Sequence, residues 1–93
     1  MEGDKIMDEN MELLKDYHEA CTRLQRIDEE PYEKTFLWAV EKCMHWLSKD
    51  DQYKKSITVG TIQPQNNREA ASNALKNFIT TLEKIAIIKG LSL

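Results

Sequence analysis

Residues 4–27 read DKIMDENMELLKDYHEACTRLQRI, and this stretch decides the fold. Ile6, Asn10, Leu13, Tyr17, Ala20, Leu24 and Ile27 recur at alternating intervals of four and three. That spacing is the period of a helix with one face turned to a core, and Asn10 is the polar member of the seam. Leu14 and Cys21 widen the stripe. Asp4 and Asp8 suit the positive end of a helix dipole, and Arg23 and Arg26 suit the negative end.

Working outward, Asp28-Glu29-Glu30-Pro31 is a turn that starts a second helix, with proline at a first helical position where its missing N–H costs nothing. A connection this short makes helices one and two antiparallel neighbours. The second helix is expected over about residues 31–49, with Phe36, Val40, Cys43, Met44 and Leu47 as its core stripe. Residues 50–67 are a long connector, stopped by Asp50-Asp51 and punctuated by Gly60 and Pro64. Ile57 and Val59 alternate with polar residues, so a short extended piece fits there. A third helix is expected over about residues 68–89. Asn66 and Glu69 form its capping box, and Lys89-Gly90 ends it. Ala71, Leu75, Phe78, Leu82 and Ile85 are its seam, widened by Ala74, Ile79, Ala86 and Ile88. The apolar tail Leu91-Ser92-Leu93 is expected to dock on the protein or on a neighbouring chain. The expected fold class is therefore all-α: a single domain over 1–93, built as a three-helix antiparallel hairpin or bundle with a long connector between helices two and three.

Composition narrows the function. A net charge of −3 argues against a protein that reads long nucleic acid, which needs a basic stripe. No run approaches the ~20 apolar residues of a membrane span. The acidic start Met1-Glu2-Gly3-Asp4, with no apolar core after it, does not read as a signal peptide. Cys21 and Cys43 read as free core thiols of a reducing cytoplasm. Three unclustered glycines give no phosphate-cradling loop, and there is no serine elbow. Cys43 and His45, two apart on a helix, point in nearly opposite directions and make neither a metal site nor a nucleophile pair. His18 and Cys21 share a face, but two donors do not complete a tetrahedral set. The chain is thus expected to be no enzyme and to use no cofactor.

One face stands apart from this scaffold. At ~100° per residue, the side of helix two opposite the core stripe carries Lys34, Trp38, Lys42, His45 and Lys49. Three readings of it stay open. Trp38 packs on helix three or the connector with the lysines solvating the rim; or it anchors an oligomer or partner interface; or it stacks on a nucleobase while the cations neutralise phosphate.

Val40-Glu41-Lys42-Cys43-Met44-His45-Trp46 resembles a pattern in the phage helical-hairpin proteins that soak up cyclic-nucleotide immune signals, the anti-CBASS and anti-Thoeris sponges. The resemblance runs from Glu12 to Leu47. It departs where the family usually has a threonine, here Phe36-Leu37-Trp38-Ala39, and in the long third helix. It implies a phage protein in a bacterial host. Such a protein is a homo-oligomer that holds cyclic di- or trinucleotides intact between subunits and lowers the free signal by mass action. The ligand-binding candidates Lys34, Trp38, Lys42, His45 and Lys49 come from the exposed-face argument and not from the resemblance. The competing reading is a small protein-interaction module, an inhibitor, adaptor or assembly factor with a host protein partner.

Overall fold

The computed structural model describes residues 2–56 and 66–93, with the side chains of 9–55 and 66–93. The described residues are helical, with no strand among them: α1 Glu2–Gln25, a 3-10 turn Ile27–Glu29, α2 Tyr32–Leu47, α3 Asp51–Ser56 and α4 Arg68–Lys89. The all-α expectation holds. The extended piece at Ile57 and Val59 and the punctuation at Gly60 and Pro64 lie outside the described residues, as do the side chains of Asp4, Ile6 and Asp8.

α1 turns Leu13 and Ala20, both fully buried, toward the centre, with Tyr17 and Leu24 packed beside them. It ends in a 3-10 turn that buries Ile27. Pro31 serves as the cap before α2 rather than as its first residue. α1 and α2 are antiparallel, since Asp16 meets Trp46 while Arg23 lies over Trp38. α4 also runs against α1: the Tyr17 hydroxyl donates to Glu83 at 3.4 Å, and Lys89 pairs with Glu9 at 3.4 Å.

α4 consequently runs parallel to α2. The Glu33 N–H donates to the Asn66 side chain at one end, and Cys43 lies 3.6 Å from the Thr81 hydroxyl farther along. A parallel pair needs a connection that returns the length of the bundle, which explains why residues 50–67 are so many. The first part of that connection is not loose chain. α3 buries Tyr53, whose hydroxyl donates to Glu9 at 3.4 Å and ties α3 to α1.

α2 and α4 form the closest helix pair and share the core of Ala39, Cys43, Trp46, Leu47, Leu75, Phe78, Leu82 and Ile85. Two expectations for α2 are corrected here. Met44 is 58% exposed and Val40 only half-buried, whereas Thr35, Ala39 and Trp46 are buried. The buried arc is turned toward Trp46 because α1 offers that indole a hydrogen-bond acceptor, which local hydropathy does not register.

The cap of α4 is also shifted by one residue. Asn67, not Asn66, is extended and accepts from the Ala70 N–H at 2.8 Å. Asn67→Ala should cost about 1 kcal/mol. In a domain of this size that is a fall of roughly 4–8 °C in the thermal midpoint, read by circular dichroism. At the other end Gly90 takes the left-handed conformation, φ 73°, and closes the helix as expected.

Candidate functional site

The five candidates do not form one open surface, and Lys49 lies just beyond α2, which ends at Leu47 and not at residue 49 as expected. Trp38 is half-buried, with its edge against Phe78 at 5.6 Å between ring centroids and 84° between planes. The Arg23 guanidinium covers the ring at 4.3 Å from its centroid. That occupies a π-face a nucleobase would need. Lys42 reaches the buried Asp16 at 3.5 Å, and Lys49 reaches Glu12 at 3.3 Å. His45 lies 3.1 Å from the other oxygen of Glu12. Lys34 stays exposed, apart from this seam. The row of cations read from the sequence is thus largely the α2 half of an ionic seam to α1. The backbones of α1 and α2 stay farther apart than those of α2 and α4, so long polar side chains span the gap.

The centre of the seam is Asp16, 2% exposed, which accepts from the Trp46 indole N–H at 2.8 Å. A buried carboxylate needs such donors to offset its lost hydration. Glu12 sits one turn earlier. Burial pushes its carboxyl up, but hydrogen bonds and charge from His45 and Lys49 together outweigh burial and hold it below the usual glutamate range. A carboxyl depressed in the folded state contributes stability above its unfolded pKa and loses it as pH falls through the folded value. Stability should therefore decline below about pH 4.3, the ordinary glutamate value. Glu12→Gln should flatten that acid limb. Urea midpoints measured across the acid range check this, and equal slopes in the two proteins would refute it.

At the hairpin end, a cavity of about 330 Å³ is lined by Glu19, Arg23, Arg26, Glu29 and Glu30, among others. Its charges already answer one another: Arg23 holds Glu30 at 3.1 Å and Glu19 at 3.4 Å, and Arg26 holds Glu29 at 3.6 Å. The enclosed Arg23 Nε has no acceptor among the described residues. No group of three His, Cys, Asp or Glu side chains converges on a metal-sized space among the described residues. Cys43 faces Thr81 in the core while His45 faces Glu12 at the surface. Burial pushes the Cys43 thiol up, and the Thr81 hydroxyl only partly offsets it, which keeps the sulfur from acting as a thiolate.

The residues that sequence reasoning missed lie on the flank where α1 and α4 meet solvent. Met11 is 64% exposed, Leu14 44% and Ile87 77%. Leu14 and Cys21, read above as widening the core stripe, face outward or sit half-exposed. A signal for them existed. Met11, Leu14, His18, Cys21 and Gln25 repeat the three-and-four spacing one residue after the core seam. That is a second, partly apolar edge on the same helix, carried by Met11, Leu14 and Cys21.

No family model, curated protein or solved structure matches this chain. Among the described residues no helix is long and apolar enough to cross a membrane.

Proposed function

We propose that this chain is a helical protein-interaction module that docks a partner on the flank shared by α1 and α4. The observation that carries this reading is the exposure of Met11, Leu14 and Ile87 on two neighbouring helices whose core faces are already filled. A large exposed apolar residue alone needs no explanation, but a set on one flank marks an interaction surface. The work of such a protein is binding: it would act as an inhibitor, adaptor or assembly factor. Its two free thiols suit a reducing compartment.

The test is site-specific crosslinking in the cells that make the protein. A photoreactive amino acid at Met11 should give a discrete adduct. The same group at Asn73, an exposed polar position on α4, should not. Equal labelling from both positions, or none from Met11, would overturn the reading.

A cyclic-nucleotide sponge is the second reading. It is favoured by the Val40–Trp46 pattern and by the exposure of Lys34, Met44 and His45 on the outer side of α2. In an oligomer these residues would meet a second subunit around a cyclic di- or trinucleotide. Calorimetry against a panel of such nucleotides separates the two: the sponge requires heat and a thermal shift, and the interaction module gives neither.

A further inference from the structure

The α1–α4 flank carries charge as well as apolar surface, and its charge names a partner. Tyr17–Glu83 and Glu9–Lys89 contacts set the two helices side by side and antiparallel. In that register Met11 and Leu14 on α1 stand level with Ile87, one turn beyond Glu83 on α4. Lys15 follows Leu14 on the outer side of α1, and Lys84 follows Glu83 on the outer side of α4. These two lysines border the apolar set from opposite sides. Lys76 lies two turns before Glu83 on the same face.

Lys15, Lys76 and Lys84 are exposed, and none forms an ion pair among the described residues. Lys34, Lys54 and Lys55 are likewise exposed with no ion pair among the described residues, so what marks Lys15, Lys76 and Lys84 is their place beside the apolar set. Arg23, Arg26, Lys42, Lys49, Arg68 and Lys89 each have a carboxylate within 4 Å. Among the described side chains, the carboxylates that join the two helices are already engaged: Glu83 accepts from the Tyr17 hydroxyl and Glu9 pairs with Lys89. A chain of net charge −3 thus leaves uncompensated cations around an exposed apolar strip.

We infer that this flank receives an acidic amphipathic helix of a partner protein, an inference that rests on the interaction reading above. Two antiparallel helices leave a shallow groove between them. A helix laid in such a groove offers apolar anchors at spacings of three and four. Met11, Leu14 and Ile87 meet those anchors. Lys15 and Lys84 meet carboxylates on the partner's two borders, which fixes its sign and speeds its approach.

The experiment uses the full chain and two synthetic helices of about 20 residues, long enough to be helical alone. Both carry leucines on one face; the other face is glutamate in one and lysine in the other. Fluorescence anisotropy should show the glutamate peptide binding at least about tenfold more tightly than the lysine peptide, a difference that shrinks in high salt. Leu14→Asp and Ile87→Asp should each weaken the glutamate peptide by about tenfold or more and leave cooperative unfolding intact. Lys15→Glu with Lys84→Glu should reverse the preference.

Equal binding of both peptides, binding of neither, or binding that ignores Leu14→Asp would overturn the inference. So would a solution dimer of the chain that Leu14→Asp dissolves, since the flank would then belong to a second copy. None of these results touches the crosslink from position 11. That crosslink decides whether the flank is an interface at all.

Discussion

Trp46→Ala should bring this domain close to global unfolding at 25 °C. The indole is fully buried and belongs to the core shared by α2 and α4. Removing a buried aromatic ring costs about 3–5 kcal/mol through lost burial and the cavity left behind. The same change takes away the donor of the 2.8 Å hydrogen bond to Asp16. Leaving a buried acceptor short of a partner adds about 1–3 kcal/mol. The sum rivals the ~5–15 kcal/mol that holds a typical domain together. With a urea slope of about 1–3 kcal/mol/M, the midpoint should fall by about 2 M or more.

A second variant separates packing from hydrogen bonding. Trp46→Phe keeps most of the ring but has no N–H, so it should lose about 1–3 kcal/mol. Adding Asp16→Leu to Trp46→Phe should recover part of that loss, because removing both members of a buried polar pair leaves nothing unsatisfied. Lys42, a third exposed, can turn to water once Asp16 is gone. If Trp46→Phe proves as stable as the parent, the indole–carboxylate bond contributes nothing measurable.

This pair also marks where the sequence stops being readable. The seams of α1 and α4 are legible because each is a long run of apolar residues at helical spacing, and long periodic runs tolerate single errors. α2 is shorter, and its stripe was set by Phe36, Val40 and Met44. The buried arc instead centres nearer Ala39, Cys43 and Trp46, a rotation of roughly 90° on a helix with ~100° per residue. Thr35 and Ala39 weigh little in a hydropathy pattern. Trp46 weighs much, but on which side it is buried depends on Asp16, thirty positions away. In the sequence Asp16 is one of several carboxylates spread along α1. Nothing local distinguishes a carboxylate that will be capped by an indole from one that will face water.

The same rotation explains the candidate site. Lys42, His45 and Lys49 share a face, as the helical wheel requires. That face meets Glu12 and Asp16 on α1, so their charges are answered inside the fold. A wheel assigns residues to faces and cannot say what lies opposite. α3 was unreadable for another reason: among its described side chains Tyr53 alone is buried, and one residue makes no period. The outward edge of α1 was legible but was absorbed into the core stripe, because Leu14 and Cys21 adjoin it.

Phe78→Ala should be the second most damaging substitution, and it bears directly on Trp38. Phe78 is fully buried in α4, and its loss should cost about 3–5 kcal/mol. Trp38 leans on it edge-on at 5.6 Å, a geometry that adds about 0.5–1.5 kcal/mol beyond burial. Trp38→Ala alone should therefore destabilise the chain by about 2–3 kcal/mol, within the range for losing a large, partly buried side chain. The double variant should lose less than the sum of the two singles, by about the aromatic term. Chemical denaturation of the four proteins yields the coupling. Strict additivity would mean that the two rings act independently. A Trp38→Ala protein as stable as the parent would return the indole to the solvent-facing role that its place among lysines suggested. Otherwise, a loss of binding in Trp38→Ala cannot be assigned to a missing contact until the variant is shown to be folded. Trp38→Phe, which keeps an aromatic edge on Phe78, is the variant that separates the two causes.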